Sequence, residues 1–590
     1  MKNTKLITAL ALSLSLTLVS CGDDADKTVK NSVISAPAVV SKAIGQQSSV
    51  MSYIPADTPV LVVFVNDPKH PMPQNFQDKM DKVYSSLGEM MKTTYLDAYK
   101  DYTKKANPET DTTSVDDFAD KWFNEEGVKK LGLKMGETEF AFYLIDLFPV
   151  MRMNLASSHS MGEVLDEMMA KVNEDKPGQV TKRDVDGTTL YQFGDKEMQA
   201  MVSLKGNAIV ASLAPTRQVD SLMPKLLGFE KPAKTIRQSN QFNDTIAKYN
   251  YLENSLMWIN FRELADYFVN PAQHQTAMLD VLKVQDNMMS QDCKNEVLAM
   301  FDKFPRLVSG STLLGEHQMD SHMIIEMPSN LGSKLSTISG RIPSAKNAAF
   351  SYGFSFDIAA AKTLAQEFVT NIETTPYKCE FFTGLNEKAG MFKAQLEQPL
   401  PPFVGNFKGF NIVIDELDLD MTKTDPAQMI KTLKAKVLLA VDNPEALKGM
   451  AEMMMPEVQK LGLKAGGKAV NVSDLIPVKG TMMPINLDHV FLAMSDETIG
   501  LSLGENTEVE LADVVAGEST SALLDFSINS ELYKKIFESI ASADSKLPEE
   551  VKKQFATQQM FMSDMLWWQT EKGTVDFTNR GFEINIGIDY

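Results

Sequence analysis

The chain has 590 residues, 44% of them hydrophobic, with 31 phenylalanines, and 78 acidic against 58 basic residues give a net charge of −20. So many apolar side chains exclude a disordered chain and suffice for large cores. A polyanion of this size does not hold nucleic acid or an anionic lipid surface through bulk charge, and at about 150 residues per domain the length predicts two to four domains.

The amino terminus has the three parts of a secretory signal: Lys2 and Lys5, an apolar run from Leu6 to Val19, then small Ser20 before Cys21. The apolar core of about 14 residues is too short to cross a bilayer, which takes roughly 20 residues as a helix. Residues 1–20 are therefore expected to be cleaved. Leu18, Val19, Ser20 and Cys21 resemble the bacterial lipobox. That resemblance implies a diacylglyceryl group on the Cys21 thiol, cleavage before it and acylation of the new amine, and several acyl chains make a stable anchor. Gly22 after the cysteine favours an outer-membrane address facing the periplasm, although Asp23 and Asp24 count the other way. Residues 21–50 hold no aromatic residue and no sustained period. They read as a lipidated flexible tether, whose reach for about 27 residues is roughly 30 Å.

Beyond the tether, Phe76, Met80, Val83, Leu87 and Met91 recur at spacings of three and four, which predicts a helix with one apolar face. KGN at Lys205 and SDE at Ser495 read as hairpin corners. Phe350, Tyr352, Phe354 and Phe356 alternate with Ser351, Gly353 and Ser355, the pattern of a strand with one buried face, and Asp357 stands ready to cap the helix that follows. Lys436 to Val441 is a strand again, with Asp442 and Asn443 at its corner and Pro444 in the first helical turn. The last segment alternates Phe582, Ile584, Ile586 and Ile588 with Glu583, Asn585, Gly587 and Asp589, an antiparallel strand with one wet or helix-free side. The fold class is α+β, with mostly antiparallel sheet and amphipathic helices on one face.

The body is written twice. Ile54 and Pro55 open a strand-like run, as do Ile342 and Pro343; Glu167, Met168 and Met169 match Glu452, Met453 and Met454; Ile209, Ser212 and Leu213 match Ile499, Ser502 and Leu503. NSLMWINFRELADYF from Asn254 answers SALLDFSINSELYKKIF from Ser521, in the same order. These matches predict two tandem copies, 51–340 and 341–590, each with its own core and joined near Gly340 to Lys346 by an exposed, protease-sensitive junction. IPADTP from Ile54, FPVMRMNL from Phe148, AIVASLAPTRQV from Ala208 and MWINF from Met257 resemble landmarks of a bacterial cell-envelope family that carries a domain of unknown function. The resemblance implies an envelope location and a duplicated architecture, and it brings no catalytic residues.

Chemistry leaves little trace. The chain has no GxSxG, HExxH, phosphate-binding glycine loop or paired zinc cysteines, so no catalytic residue, metal or cofactor is expected. His317 and His322, with Glu316 and Asp320, read as a solvated hairpin rather than a metal site. DELDLDMTKTD from Asp415 fails the calcium-loop pattern, because Lys423 and Met429 stand where glycine and glutamate are needed, and it reads as a wet strand edge. Methionines bunched at Met90, Met168, Met288, Met453 and Met560 read as adaptable core filler rather than soft copper ligands. Trp567 and Trp568 read as core beneath the last hairpin, at the end of a helix containing Val551, Phe555 and Met562. In an oxidising compartment Cys293 and Cys379 are expected to form a disulfide stapling the two halves, the alternative being two separate buried thiols.

The expected function is that of a non-enzymatic, lipid-anchored envelope protein that binds or scaffolds a partner. The alternative is a carrier enclosing a lipid or other apolar ligand, since an apolar strand face looks the same against a helix or a ligand. The expected partners are the membrane through the N-terminal lipid, and an envelope protein or an apolar small molecule.

Overall fold

The computed structural model describes residues 49–90, 113–122, 124–158, 160–175, 178, 180–274, 276–345, 348–420, 423, 426–476, 487–542 and 566–590. Among the described residues ten strands precede residue 340: β1 Val60–Phe64, β2 Glu139–Ile145, β3 Phe148–Asn154, β4 Val180–Val185, β5 Thr188–Gly194, β6 Met198–Lys205, β7 Ala208–Pro215, β8 Ser255–Asn260, β9 Arg306–Leu314 and β10 Gln318–Glu326. Those that follow are β11 Ile342–Pro343, β12 Phe350–Ser355, β13 Phe407–Leu419, β14 Ile430–Val441, β15 Val470–Asn471, β16 Val490–Met494, β17 Thr498–Leu503, β18 Ser519–Thr520, β19 Leu524–Asn529, β20 Thr570–Thr578 and β21 Gly581–Asp589.

All but β11 and β18 form one sheet, and every pairing between its named strands is antiparallel. Its middle is the pair β10–β21, in which His322 faces Asn585 across the ladder. Outward from β10 the order is β9, β8, β1, β2, β3, β7, β6, β5 and β4. Outward from β21 it is β20, β19, β12, β13, β14, β17, β16 and β15. The fold is α+β, with a large antiparallel sheet and helices against it. Among the described residues no helix is long and apolar enough to cross a membrane.

Alternation along each strand gives the sheet two faces. The first face carries the largest core, in which Leu61, Val63, Trp258, Val308 and Ile324 pack beneath the helices α3 (Val219–Leu226) and α4 (Asn240–Tyr249). Trp258 is fully buried, and its indole N–H donates to the Thr58 carbonyl at 3.1 Å, as a buried indole requires. On the second face, the helix α2 (Met161–Asp175) sets Met161, Leu165 and Met169 on Phe140, Met153 and Ile209. Phe76 and Met80 of α1 (Gln74–Met90) cover Met319, Ile586 and Ile588 at the sheet's middle. That last core draws side chains from both ends of the chain, so the halves do not have wholly separate cores.

Of the segment expected to be an exposed junction, Gly340, Ile342 and Pro343 are buried, Arg341, Ser344 and Ala345 are half-buried, and Lys346 lies outside the described residues. β11 pairs with β18, Ile342 is only 1% exposed, the Gly340 N–H donates to Ser355 Oγ at 2.8 Å, and Asn411 Nδ2 donates to the Pro343 carbonyl at 2.8 Å. The sequence cue was misread because a connection between two halves of one continuous sheet lies against that sheet instead of bridging solvent.

The same strap reverses the expected orientation of β12. Its buried side is Ser351, Gly353 and Ser355, and its aromatic side faces out. A Cβ on Gly353 would lie 2.2 Å from Ile342 Cγ2, and one on Gly409 would lie 2.3 Å from the Arg341 carbonyl. Small residues line that side because backbone passes directly over it. The last strand is paired on both edges, and of the wet or helix-free side expected for it the wet reading fails at Glu583, which is 3% exposed.

Candidate functional site

Cys21, the expected tether up to residue 48, Met560 and the helix expected around Val551 and Phe555 lie outside the described residues; Val50, expected as the end of the tether, is fully buried in the core of the first face. Cys293 sits on α6 (Gln291–Phe301) and Cys379 between α7 (Ile358–Thr374) and α8 (Thr383–Leu396), and their sulfurs are bonded. Around the bridge, the Glu296 carboxylate accepts the backbone N–H groups of Lys378 and Cys379 at 2.8 and 3.0 Å.

His317 is exposed at the β9–β10 turn, but His322 is not solvated as expected. It is 7% exposed and holds a buried network on the first face where the halves meet. Tyr251 Oη lies 2.6 Å from His322 Nδ1, and His322 Nε2 lies 3.1 Å from Glu583 Oε2. Arg580 donates to both Glu583 oxygens, at 2.9 and 2.5 Å, and Thr578 donates to the same carboxylate. Two oxygens that only accept require a proton on Nε2. The neutral ring then accepts the Tyr251 hydroxyl at Nδ1, while the doubly protonated ring donates there and the hydroxyl turns to the His322 carbonyl at 3.2 Å. Either state leaves the network satisfied.

Beside it, Arg306 grips Glu326 with two bonds of 2.8 and 3.0 Å, while Lys248 and Tyr249 donate to the same carboxylate at 2.8 and 2.5 Å. Burial alone would raise both acids. Donors from His322, Arg580 and Thr578 instead hold Glu583 at about 2, and those from Arg306, Lys248 and Tyr249 hold Glu326 at about 2. Burial pushes the Tyr251 phenol up. A tyrosine, a histidine and a carboxylate in line have the form of a proton relay, yet Tyr251 is 4% exposed and presents no hydroxyl to a substrate. The arrangement serves as a clamp between the halves. Sequence reasoning missed it because its members come from four distant segments.

A second group of titratable side chains lies at the α5 helix (Phe261–Val269). His274 Nε2 is 2.8 Å from Asp266 Oδ2, and the Tyr267 ring stacks on His274 at 4.0 Å. Burial, with Asp57 as a further cause, raises the Glu263 carboxyl to about 7. A nearby open concavity of ≈ 360 Å³ is lined by Pro271, Ala272, Thr276, Leu279, Asp280 and Asp286. The raised carboxyl carries a definite pH signature. Its folded form is penalised when charged, so the stability present below the unfolded value near 4.5 is lost as pH rises through about 7. Glu263→Gln is accordingly expected to raise the melting temperature at pH 8 and leave it unchanged at pH 4, as read by thermal unfolding at both pH values.

Among the described residues no group of three His, Cys, Asp or Glu side chains is placed to hold a metal. Within the acidic run, Asp415 pairs with buried Lys436 at 2.5 Å, and Glu510 pairs with the same lysine at 3.0 Å. Trp567 packs edge-on against Phe76 and Tyr590 at 5.5 and 5.3 Å, and Trp568 against Tyr533 at 6.4 Å, in the core at the sheet's middle.

The methionine reading fails at two bunches: Met288 is 62% exposed, and the bunch at Met453 is exposed too. Met453 and Met454, on α9 (Pro444–Met454), are 79% and 81% exposed, with Met450 and Met455 exposed beside them. They adjoin in sequence the sheet region with the most unusual chemistry. On the second face of the later half, Tyr352, Ile412, Val437 and Leu501 stand directly opposite one another across β12, β13, β14 and β17, each 38 to 41% exposed. Phe354 and Phe410 form the adjacent row, with ring centroids 6.2 Å apart. Scattered surface hydrophobics are ordinary, but a contiguous apolar sheet face is the mark of a docking surface. It offers van der Waals contact and apolar burial, with no nucleophile or acid among its side chains.

No protein family, curated protein or solved structure matches this chain. Its functional reading therefore rests on its own residues.

Proposed function

We propose that this protein is a lipid-anchored binding or scaffolding protein of the bacterial cell envelope, without catalytic activity, and that its surface for a partner is the apolar sheet face of the later half. The observation that carries the reading is the exposed row Tyr352, Ile412, Val437 and Leu501. Burying apolar surface is worth about 25 cal/mol per Å², so a face of this kind binds without further chemistry. An open sheet face favours a partner over an enclosed apolar ligand. Site-specific photo-crosslinking tests this: a photoreactive residue in place of Val437, in the intact host, is expected to yield a discrete adduct with one envelope protein. The same residue at exposed Lys431 should yield none. Indistinguishable smears at both positions would overturn the reading.

The lipobox-like Leu18 to Cys21 and the envelope-family resemblance support a lipid-anchored envelope location, and Gly22 favours the outer membrane facing the periplasm. Metabolic labelling with a palmitate analogue is expected to mark the wild type and not Cys21→Ser, which should leave the membrane fraction. A variant that still labels and still sediments with membranes would refute the anchor. The tandem copies belong to the same proposal. The matching order of eight strands outward from β10 (β9, β8, β1, β2, β3, β7, β6, β5) and from β21 (β20, β19, β12, β13, β14, β17, β16, β15), together with the collinear sequence matches, supports one ancestral unit written twice, with β4 present among the described residues of the first half alone.

A further inference from the structure

The two halves place corresponding strands differently with respect to helices. In the first half the row Val62, Phe142 and Met151 lies across β1, β2 and β3 and is covered: these side chains pack against the cluster built on Met161, Leu165 and Met169 of α2. In the later half the corresponding strands β12, β13 and β14 carry Tyr352, Ile412 and Val437, and the helix that follows β14, as α2 follows β3, is α9. That helix holds Met450, Met453 and Met454 out to solvent. One face of the sheet is thus covered by α2 over the first half and by α1 over its middle, and stands open beyond β19 in the later half.

We infer that the open face of the later half takes an amphipathic helix of a partner protein whose polar side is basic. This inference rests on the binding reading above and names the partner's chemistry. Two observations carry it. The uncovered rows continue the face that a helix already occupies in this molecule, so the spacing of the side-chain rows suits a helix with apolar residues at intervals of three and four. The chain has a net charge of −20, and charge of opposite sign on the incoming helix raises its encounter rate and disfavours acidic competitors. Exposed methionines at the border supply unbranched, polarisable side chains that repack around different apolar shapes.

The test uses the full chain without its signal and three probes: a fluorescent 18-residue peptide of leucine and lysine in helical alternation, its leucine and glutamate counterpart, and an uncharged apolar dye. Fluorescence anisotropy is expected to show saturable binding of the basic peptide, at least tenfold tighter than of the acidic one. Ile412→Asp with Val437→Asp should weaken it at least tenfold. Both positions are exposed, so the variant is expected to fold, and circular dichroism checks that it does. The added carboxylates make the protein more acidic, so a peptide held by bulk charge alone would bind the variant as tightly or more tightly, and that result would overturn the inference. Dye binding that the variant abolishes, with no saturable binding of either peptide, would reject the helical partner and keep the apolar binding surface. If neither the dye nor the peptides respond to the variant, both the inference and the binding reading fail. Equal binding of the two peptides would reject the basic character of the partner.

Discussion

Glu583→Gln is expected to destabilise the protein at pH 7 by about 1.5 to 3 kcal/mol, the cost of losing charge-assisted hydrogen bonds at a buried carboxylate whose partner Arg580 keeps 45% of its side chain exposed. The carboxylate is 4% exposed, and it takes both Arg580 bonds, the Thr578 hydroxyl and the His322 ring. The glutamine is nearly isosteric, so the loss reports charge and hydrogen bonding rather than a cavity. Because Glu583 is held at about 2 against an unfolded value near 4.5, its contribution is present above pH 4.5 and lost as pH falls towards 2. Denaturant unfolding from pH 7 to pH 3 is therefore expected to show a steep loss in the wild type and a shallower one in the variant. Parallel curves would remove Glu583 from the acid response. Glu326, also held at about 2, keeps some acid sensitivity in the variant.

Removing the Cys293–Cys379 bond with paired serine substitutions is expected to cost roughly 4 to 5 kcal/mol, from the loop-closure entropy of a chain segment spanning 86 residues. The bond ties α6 of the first half to the turn between α7 and α8. That hairpin has only a small core of its own, built on Val369, Ile372 and Ala389. The contacts from Glu296 to the turn and the ion pair of Lys378 with Asp292 at 3.3 Å lack the apolar area to hold it. Early protease cleavage should consequently move to the turn around Cys379, not to the buried strap at Gly340 to Pro343. Unchanged unfolding midpoints in the serine variant would show that the bond staples nothing.

How much of this was legible depends on the range of the interaction involved. The period of two at Phe350 to Phe356 predicted a strand, and the structure has β12 there. Which side of it is buried was not legible, because that is set by Ile342 lying across Gly353, and no local pattern encodes the crossing. Helix α1 was readable from Phe76 and Met80, and Asp357 accepts the Ala360 N–H at 2.9 Å as the cap of α7. His322 and Glu583 are 261 residues apart and meet only because β10 pairs with β21. The exposure of Met453 and Met454 was equally hidden, since a methionine stripe has the same spacing whether or not a partner surface covers it.

By itself the sequence determined the acidic charge, the α+β class, the kinds and rough places of the elements, and the lipobox-like start that raises the expectation of an anchor. These follow from properties that adjacent residues carry alone: charge, backbone preference and apolar period. Only the tertiary structure decided that the halves share one continuous sheet, that Gly340, Ile342 and Pro343 at their junction are buried, that a histidine on a polar hairpin belongs to a buried clamp, and that an apolar sheet face stands open in the later half. Each of these depends on which distant segment lies against a given side chain, and burial is a property of that pair rather than of either residue.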